Sequence, residues 1–303
     1  MLLVFVITLL VALVGPWPVV SGERATLDRP LAHAIEELGP GSWGRSSGSG
    51  GPVGSVAAGW ATAPLVVPAG TPLAGYGDRG GEPSTGVHDE LEIGALALGT
   101  VLGGSGSSGG GCACDAPVVV RRAIVIAADL LVVPPRIADT VAEAVGLPIL
   151  FTATHTHSGP GAAMPGLVAR AFGGRYRADV EQAVVDAMIA AATAAAARLE
   201  PVTVSHATAA AADLIRNRTR DTTAGYPPTD SSLDVIRFET GAGDALSLVR
   251  FSAHATIIGP ESMAFSAGYP GFLRAAVESE YGGEAFFLGG ALGSMSARMP
   301  PDA

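Results

Sequence analysis

RAIVIAADLLVVPPRIADTVAEAVGLPILFTATHTHSGPG, from Arg122 to Gly161, reads as a strand, a helix and a second strand in immediate succession. The apolar run Arg122 to Ala128 is a buried strand that ends in Asp129. Pro135 suits the first turn of a helix and Gly146 its end, so PPRIADTVAEAVG predicts a short helix between them. The apolar run Leu147 to Ala153 then predicts a second strand. Such an order makes a crossover unit, which sets Asp129 and His155 at neighbouring strand ends, where open α/β sheets carry their sites.

Two of the six histidines in 303 residues stand in the octapeptide THTHSGPG, Thr154 to Gly161. If the strand runs on through it, side-chain alternation puts Ile149, Phe151, Ala153, His155 and His157 on one face. Gly159, Pro160 and Gly161 then stop the strand. Two imidazoles on one side of a strand end, at a rim that solvent can reach, predict a metal-dependent site. Asp129, from the adjacent strand end, is the candidate to orient one imidazole.

Downstream, Asp179 is expected to cap a long helix, VEQAVVDAMIAAATAAAARL, in which Val180, Val184, Ala187, Met188, Ala191 and Ala195 form one apolar stripe. Strands are predicted at Val202 to Ala207, Leu233 to Phe238, Leu246 to Ala253 and Ala285 to Leu288, with a helix near Pro270 to Glu280. His254 ends the strand LSLVRFSAH as a second strand-end histidine. Upstream, ELEIGALAL predicts a strand, and the glycine tract 103–111 an excursion before the next one. The alternation places the chain in the α/β class, a layered domain with a mixed β-sheet flanked by helices and preceded by an N-terminal hydrophobic segment.

That segment, residues 1–20, is the one apolar stretch approaching membrane length and is expected to be a signal peptide or membrane anchor, implying export and a membrane-anchored or secreted location. Residues 21–55 end in WGRSSGSGGPVGS and read as a linker, so the folded domain is expected over 56–303. With 18 basic and 28 acidic residues the net charge is −10, and no long Lys/Arg cluster occurs, which argues against nucleic acid as a partner. The mean hydropathy of +0.39 is carried largely by Ala and Val. Cys112 and Cys114, in a glycine-rich loop, are two thiols that do not complete a zinc site. His88 and His206 read as ordinary loop or strand residues, and His33 lies outside the folded part.

THTHSGPG, then Asn217-Arg218 in the loop-like LIRNRTR, a strand ending in His254, GYPGFL opening a helix, and LGGALGSMS after an apolar strand follow one another in an order that resembles the neutral/alkaline non-lysosomal ceramidase family. THTHSGPG is the most specific of these motifs, and the resemblance runs from about Val56 to Pro300. It implies a zinc amidohydrolase that cleaves the amide of ceramide or a related N-acyl lipid to sphingosine and a fatty acid. It further implies that His155 and His254 are zinc ligands, that His157 faces the scissile amide, that Arg218 holds substrate oxygen, and that Ser296 occupies the place of the family's turn serine. A zinc ion with an open position provides the chemistry for such a step, and His157 and Arg218 are suited to stabilise the oxyanion.

Ser294, Ala297 and Arg298 depart from the Asp, Pro and Asn of the family's turn motif. The family also takes a glutamate and a tyrosine ligand from farther downstream than Ala303. The expectation is a chain incomplete at its C-terminus; otherwise Asp129 or Glu261 closes the metal shell, or the fold is kept without metal. Alternatives to the amidohydrolase are an inactive membrane-anchored binding or scaffold module and a metallohydrolase of other esters or phosphoesters.

Overall fold

The computed structural model describes residues 55–102, 118–218 and 229–298. The apolar leader, the linker up to residue 54, both cysteines, His33 and the glycine tract lie outside them, while Ser55, expected to end the linker, opens the first strand. Four strands come before the crossover helix: β1 (Ser55–Pro64), β2 (Gly86–Val87), β3 (Glu92–Leu102) and β4 (Val118–Ala128). Helix α1 (Pro135–Val145) carries proline at its start and ends on Gly146 in the left-handed region, as the sequence dictates. Strand β5 (Ile149–Ala153) then pairs parallel to β4, so the predicted crossover unit is present.

Helix α2 (Leu167–Gly173) and helix α3 (Ala178–Ala197) follow. All six predicted stripe residues of α3 are buried, with Val185 and Ala192 beside them. The helix begins two residues earlier than expected: Asp179 lies inside its first turn, paired with Arg177 at 2.6 Å, and does not cap it. The length and hydropathy of α3 match those of a membrane span, but its stripe packs on the sheet and makes it a core helix. The remaining elements are β6 (Glu200–Ala210), β7 (Ile215–Asn217), β8 (Ser232–Thr240), β9 (Ala245–Phe251), β10 (Ala264–Phe265), α4 (Tyr269–Tyr281), β11 (Glu284–Gly289) and β12 (Met295–Ala297).

Eight strands form one mixed sheet in the order β11-β9-β8-β6-β1-β3-β4-β5. Its two halves meet at a narrow seam, where β1 and β6 share only the pairs Ala57↔Pro201 and Ala58↔Glu200. Beyond that seam the sheet folds over on itself. Ala58, Trp60, Leu96 and Val125 of one half pack against Phe238, Leu246, Leu248 and Phe286 of the other. Gly94 makes this approach possible, because a Cβ there would lie 2.7 Å from the Phe286 ring. The outer face of the β1-β3-β4-β5 half is covered by α1 and α3.

Folding over brings the two edge strands together at one end. A Cβ on Gly289, the last residue of β11, would come within 3.0 Å of the Ala153 carbonyl at the end of β5. The segments that leave β5, β9 and β11 therefore converge.

Asp129 closes this end differently from the expectation. It is 0% exposed, and its carboxylate accepts two 2.9 Å bonds from the Arg274 guanidinium of α4 and one from the Glu92 backbone N–H, rather than orienting an imidazole. Glu92 also pairs with Arg274 at 3.1 Å. Removing one partner of a buried pair strands the other charge, so Arg274→Ala is expected to cost about 3–5 kcal/mol in urea unfolding. A loss under about 1 kcal/mol would show that the pair does not tie α4 to the sheet.

Candidate metal centre

The strand that leads into the histidines stops sooner than alternation requires. β5 ends at Ala153, and although the Thr154 N–H still bonds to the Ala128 carbonyl, His155 adopts φ 60°. A left-handed conformation is uncommon for a residue with a side chain and is typical of functional sites. It turns the chain, so His155 and His157 converge through this turn rather than by sharing one face of an extended strand. β9 likewise ends at Phe251, short of His254. Past that point backbone bonding passes from β11 to the following turn, with Gly290 N–H on the Phe251 carbonyl and His254 N–H on the Met295 carbonyl.

These turns gather three imidazoles. The His155 and His254 rings are 4.3 Å apart between centroids, with Nε2 atoms 3.1 Å apart. His157 Nε2 lies 2.9 Å from His254 Nε2. One nitrogen from each ring falls within 4.8 Å of the others, and no other group of three His, Cys, Asp or Glu side chains among the described residues does the same. Neither Asp129 nor Glu261 joins it.

Hydrogen bonding on the far side of two rings fixes what faces inward. His155 Nδ1 lies 2.6 Å from the Leu131 carbonyl and His254 Nδ1 lies 3.1 Å from the Leu292 carbonyl. A carbonyl only accepts, so each Nδ1 carries the proton and each neutral ring turns a bare Nε2 lone pair toward the other. Two lone pairs facing at 3.1 Å repel unless a cation lies between them. A proton is a poor candidate, because burial lowers all three pKa values below the ordinary 6.5, His157 to about 3 and His254 to about 4. A metal ion fits: two imidazoles on one zinc at ~2.05 Å and near-tetrahedral angles hold their nitrogens about 3.3 Å apart.

The sequence gives no sign of the support beneath His157. Gly75 (φ 108°) lies against the ring, where a Cβ would come within 2.7 Å of Nδ1. The Tyr76 ring packs on it at 4.8 Å, and the Tyr76 hydroxyl donates to the Ile258 carbonyl. Behind both sits Arg79, 5% exposed, which donates to the carbonyls of Ala74, His157, Gly259, Pro260 and Ser262. One buried guanidinium thus clamps three loops.

Arg218 lies near the trio. Its backbone N–H bonds to the Ser294 carbonyl and its Nε to the Gly293 carbonyl, and its charge contributes to lowering the pKa of each histidine. Ser296 is buried on β12, bridged to His254 through the backbone. His88 pairs with Asp89 and His206 is exposed on β6; neither approaches the trio.

Comparison with solved structures places this architecture. Neutral ceramidase from Pseudomonas aeruginosa superposes with a TM-score of 0.69 at 19% identity, over 84% of this chain and 41% of that one. A ceramidase complexed with C2 gives a TM-score of 0.65, also at 19% identity, over 81% of this chain and 39% of that one. The chain has the neutral ceramidase fold and spans about 41% of the length of the first of these proteins. No protein-family model and no curated protein matches the sequence.

Two outcomes test the centre. If His157 is a ligand, His157→Ala lowers zinc affinity at least 10-fold in a competition titration; unchanged affinity would return it to the substrate-facing role. In metal-free protein the folded histidines bind protons more weakly than the unfolded ones, so stability is expected to fall as pH drops from about 6.5 to about 5 and to be level just above. Stability that rises on acidification through that window contradicts the buried neutral trio.

Proposed function

We propose that this chain is the metal-binding part of a zinc-dependent amidohydrolase acting on ceramide or a related N-acyl lipid, releasing a fatty acid and a long-chain base. The observation that carries this reading is the convergence of three imidazole nitrogens, two of them on rings whose tautomers leave lone pairs turned inward. His155, His157 and His254 would hold the ion, the three-ligand set of an open catalytic site. When bound, zinc supplies a nucleophile at neutral pH and a Lewis acid for the amide carbonyl.

The remaining work falls to the chain's own groups. The Leu131 and Leu292 carbonyls hold two rings in the ligating tautomer, and the Arg79–Tyr76 platform holds the third ring in place. Arg218, fixed by the Gly293 carbonyl beside the trio, is the cation suited to stabilise the oxyanion of amide attack. In this assignment His157 ligates metal and Arg218 alone faces the substrate oxygen. Ser296 supports the His254 strand end and has no assigned nucleophilic role.

An acyl-bearing substrate is supported by an apolar cleft of about 190 Å³ beside the site, lined by Leu131, Val132, Met164, Val168 and Phe172 among others. Leu131 belongs to both, since its carbonyl fixes His155. A lipid substrate also accords with the apolar segment 1–20, from which we infer export and attachment at a membrane.

Incubation with acyl-labelled ceramide tests the assignment. The expected result is zinc-dependent fatty acid release that a chelator abolishes and Arg218→Ala lowers by about 100-fold or more. Ester or phosphate cleavage without amide cleavage, or no release from any N-acyl lipid, contradicts it.

A further inference from the structure

Strands β7 and β12 form a two-stranded antiparallel ribbon with unlike faces. Ile215 and Met295 are buried against Phe251 and Phe287. Alternation assigns Arg216 and Arg218 to the other face, together with Ser294, Ser296 and Arg298 across the ladder. Ser296 stands opposite Arg216, and the Arg298 N–H continues the ladder onto the Leu214 carbonyl. Arg216 and Arg298 are thus diagonal neighbours on one face, with backbones about 7–8 Å apart.

A cleft of about 550 Å³ opens over this face, lined by Arg216, Ser296, Arg298, Thr256 and Ile257. It adjoins the metal centre: Ser296 is bridged to His254, and the Thr256 N–H bonds to the His254 carbonyl. Among the described residues neither Arg216 nor Arg298 makes an ion pair; Arg121, Arg170 and Arg175 make none either but lie outside this cleft, whereas Arg216 and Arg298 both line it. In a chain of net charge −10, two guanidiniums without an ion-pair partner among the described residues meet at one cleft, with Arg218 on the same face, and it is this convergence that sets them apart. Arg298 is also one of the positions at which the chain departs from the motif it resembles.

We infer that this cleft binds a phosphate-class oxyanion carried by the substrate, so that the preferred substrate is an N-acyl lipid with a phosphorylated head group rather than a neutral one. Guanidinium forks match the geometry of a tetrahedral oxyanion, and the Ser296 and Thr256 hydroxyls are further donors in the same cleft. An anchored head group beside His254 sets the amide at the metal centre. The inference deepens the hydrolase reading and rests on it for the identity of the substrate, but anion binding itself does not require turnover.

Equilibrium binding to the chelator-treated full chain tests it, because metal cannot then account for anion affinity. Inorganic phosphate, a long-chain amino alcohol and its phosphate ester are titrated against wild type, R216Q/R298Q and R216K/R298K. The expected result is saturable phosphate binding, and ester binding at least 10-fold tighter than either other ligand. The Gln pair should weaken the ester at least 10-fold, and the charge-retaining Lys pair should recover part of that loss.

No saturable binding in wild type, or equal ester affinity in the Gln pair, overturns the site. If the ester binds no tighter than inorganic phosphate, the cleft takes a free ion and the substrate-borne claim fails. Should the Gln pair not fold, wild-type ester affinity must fall as sodium chloride rises, and salt-independent affinity overturns the proposal. Failure to cleave any N-acyl lipid would sink the hydrolase reading while leaving these titrations to stand on their own.

Discussion

Two backbone carbonyls, those of Leu131 and Leu292, set the chemistry of this molecule. Each accepts from a histidine Nδ1, and so each commits the opposite nitrogen of its ring to be a lone pair. The lone pairs face one another across 3.1 Å in a place where burial disfavours protonation. Such an arrangement is unfavourable in isolation, and a cation held between the rings would relieve it. The rest of the fold can be understood as the means by which two distant chain segments are made to meet there: His155 and His254 are 99 residues apart.

The meeting follows from the folded-over sheet. A narrow two-pair seam between β1 and β6 lets the halves face each other, and the apolar contacts of Trp60, Leu96 and Phe286 hold them. Edge strands that would be far apart in a flat sheet then end side by side. The buried Asp129–Arg274 pair fastens α4 to the same end, and the Arg79 clamp fastens the loop beneath His157. Both charged anchors lie outside the imidazole trio.

Much of the local structure was legible in the sequence. Pro135 and Gly146 marked the ends of α1, periodicity marked the stripe of α3, and apolar runs marked β4, β5, β9 and β11. His155 and His254 each follow such a run, and the family resemblance is what nominated them together as ligands. Long-range geometry was not legible. Alternation misjudged how the histidines converge, because Ala153 and Phe251 are the last strand residues and the left-handed turn at His155 does the rest. Asp129 was assigned to an imidazole because its true partner, Arg274, lies 145 residues away and nothing local announces it. Arg79 and the two orienting carbonyls were equally hidden, since backbone acceptors have no sequence signature.

Zinc-edge X-ray absorption of the metal-loaded chain tests the central claim most directly. The account predicts one zinc per chain, with imidazole nitrogens of His155, His157 and His254 at about 2.0 Å and loss of imidazole scattering when His254 is replaced by alanine. Zinc bound without imidazole ligands, or no stoichiometric zinc at all, would contradict it.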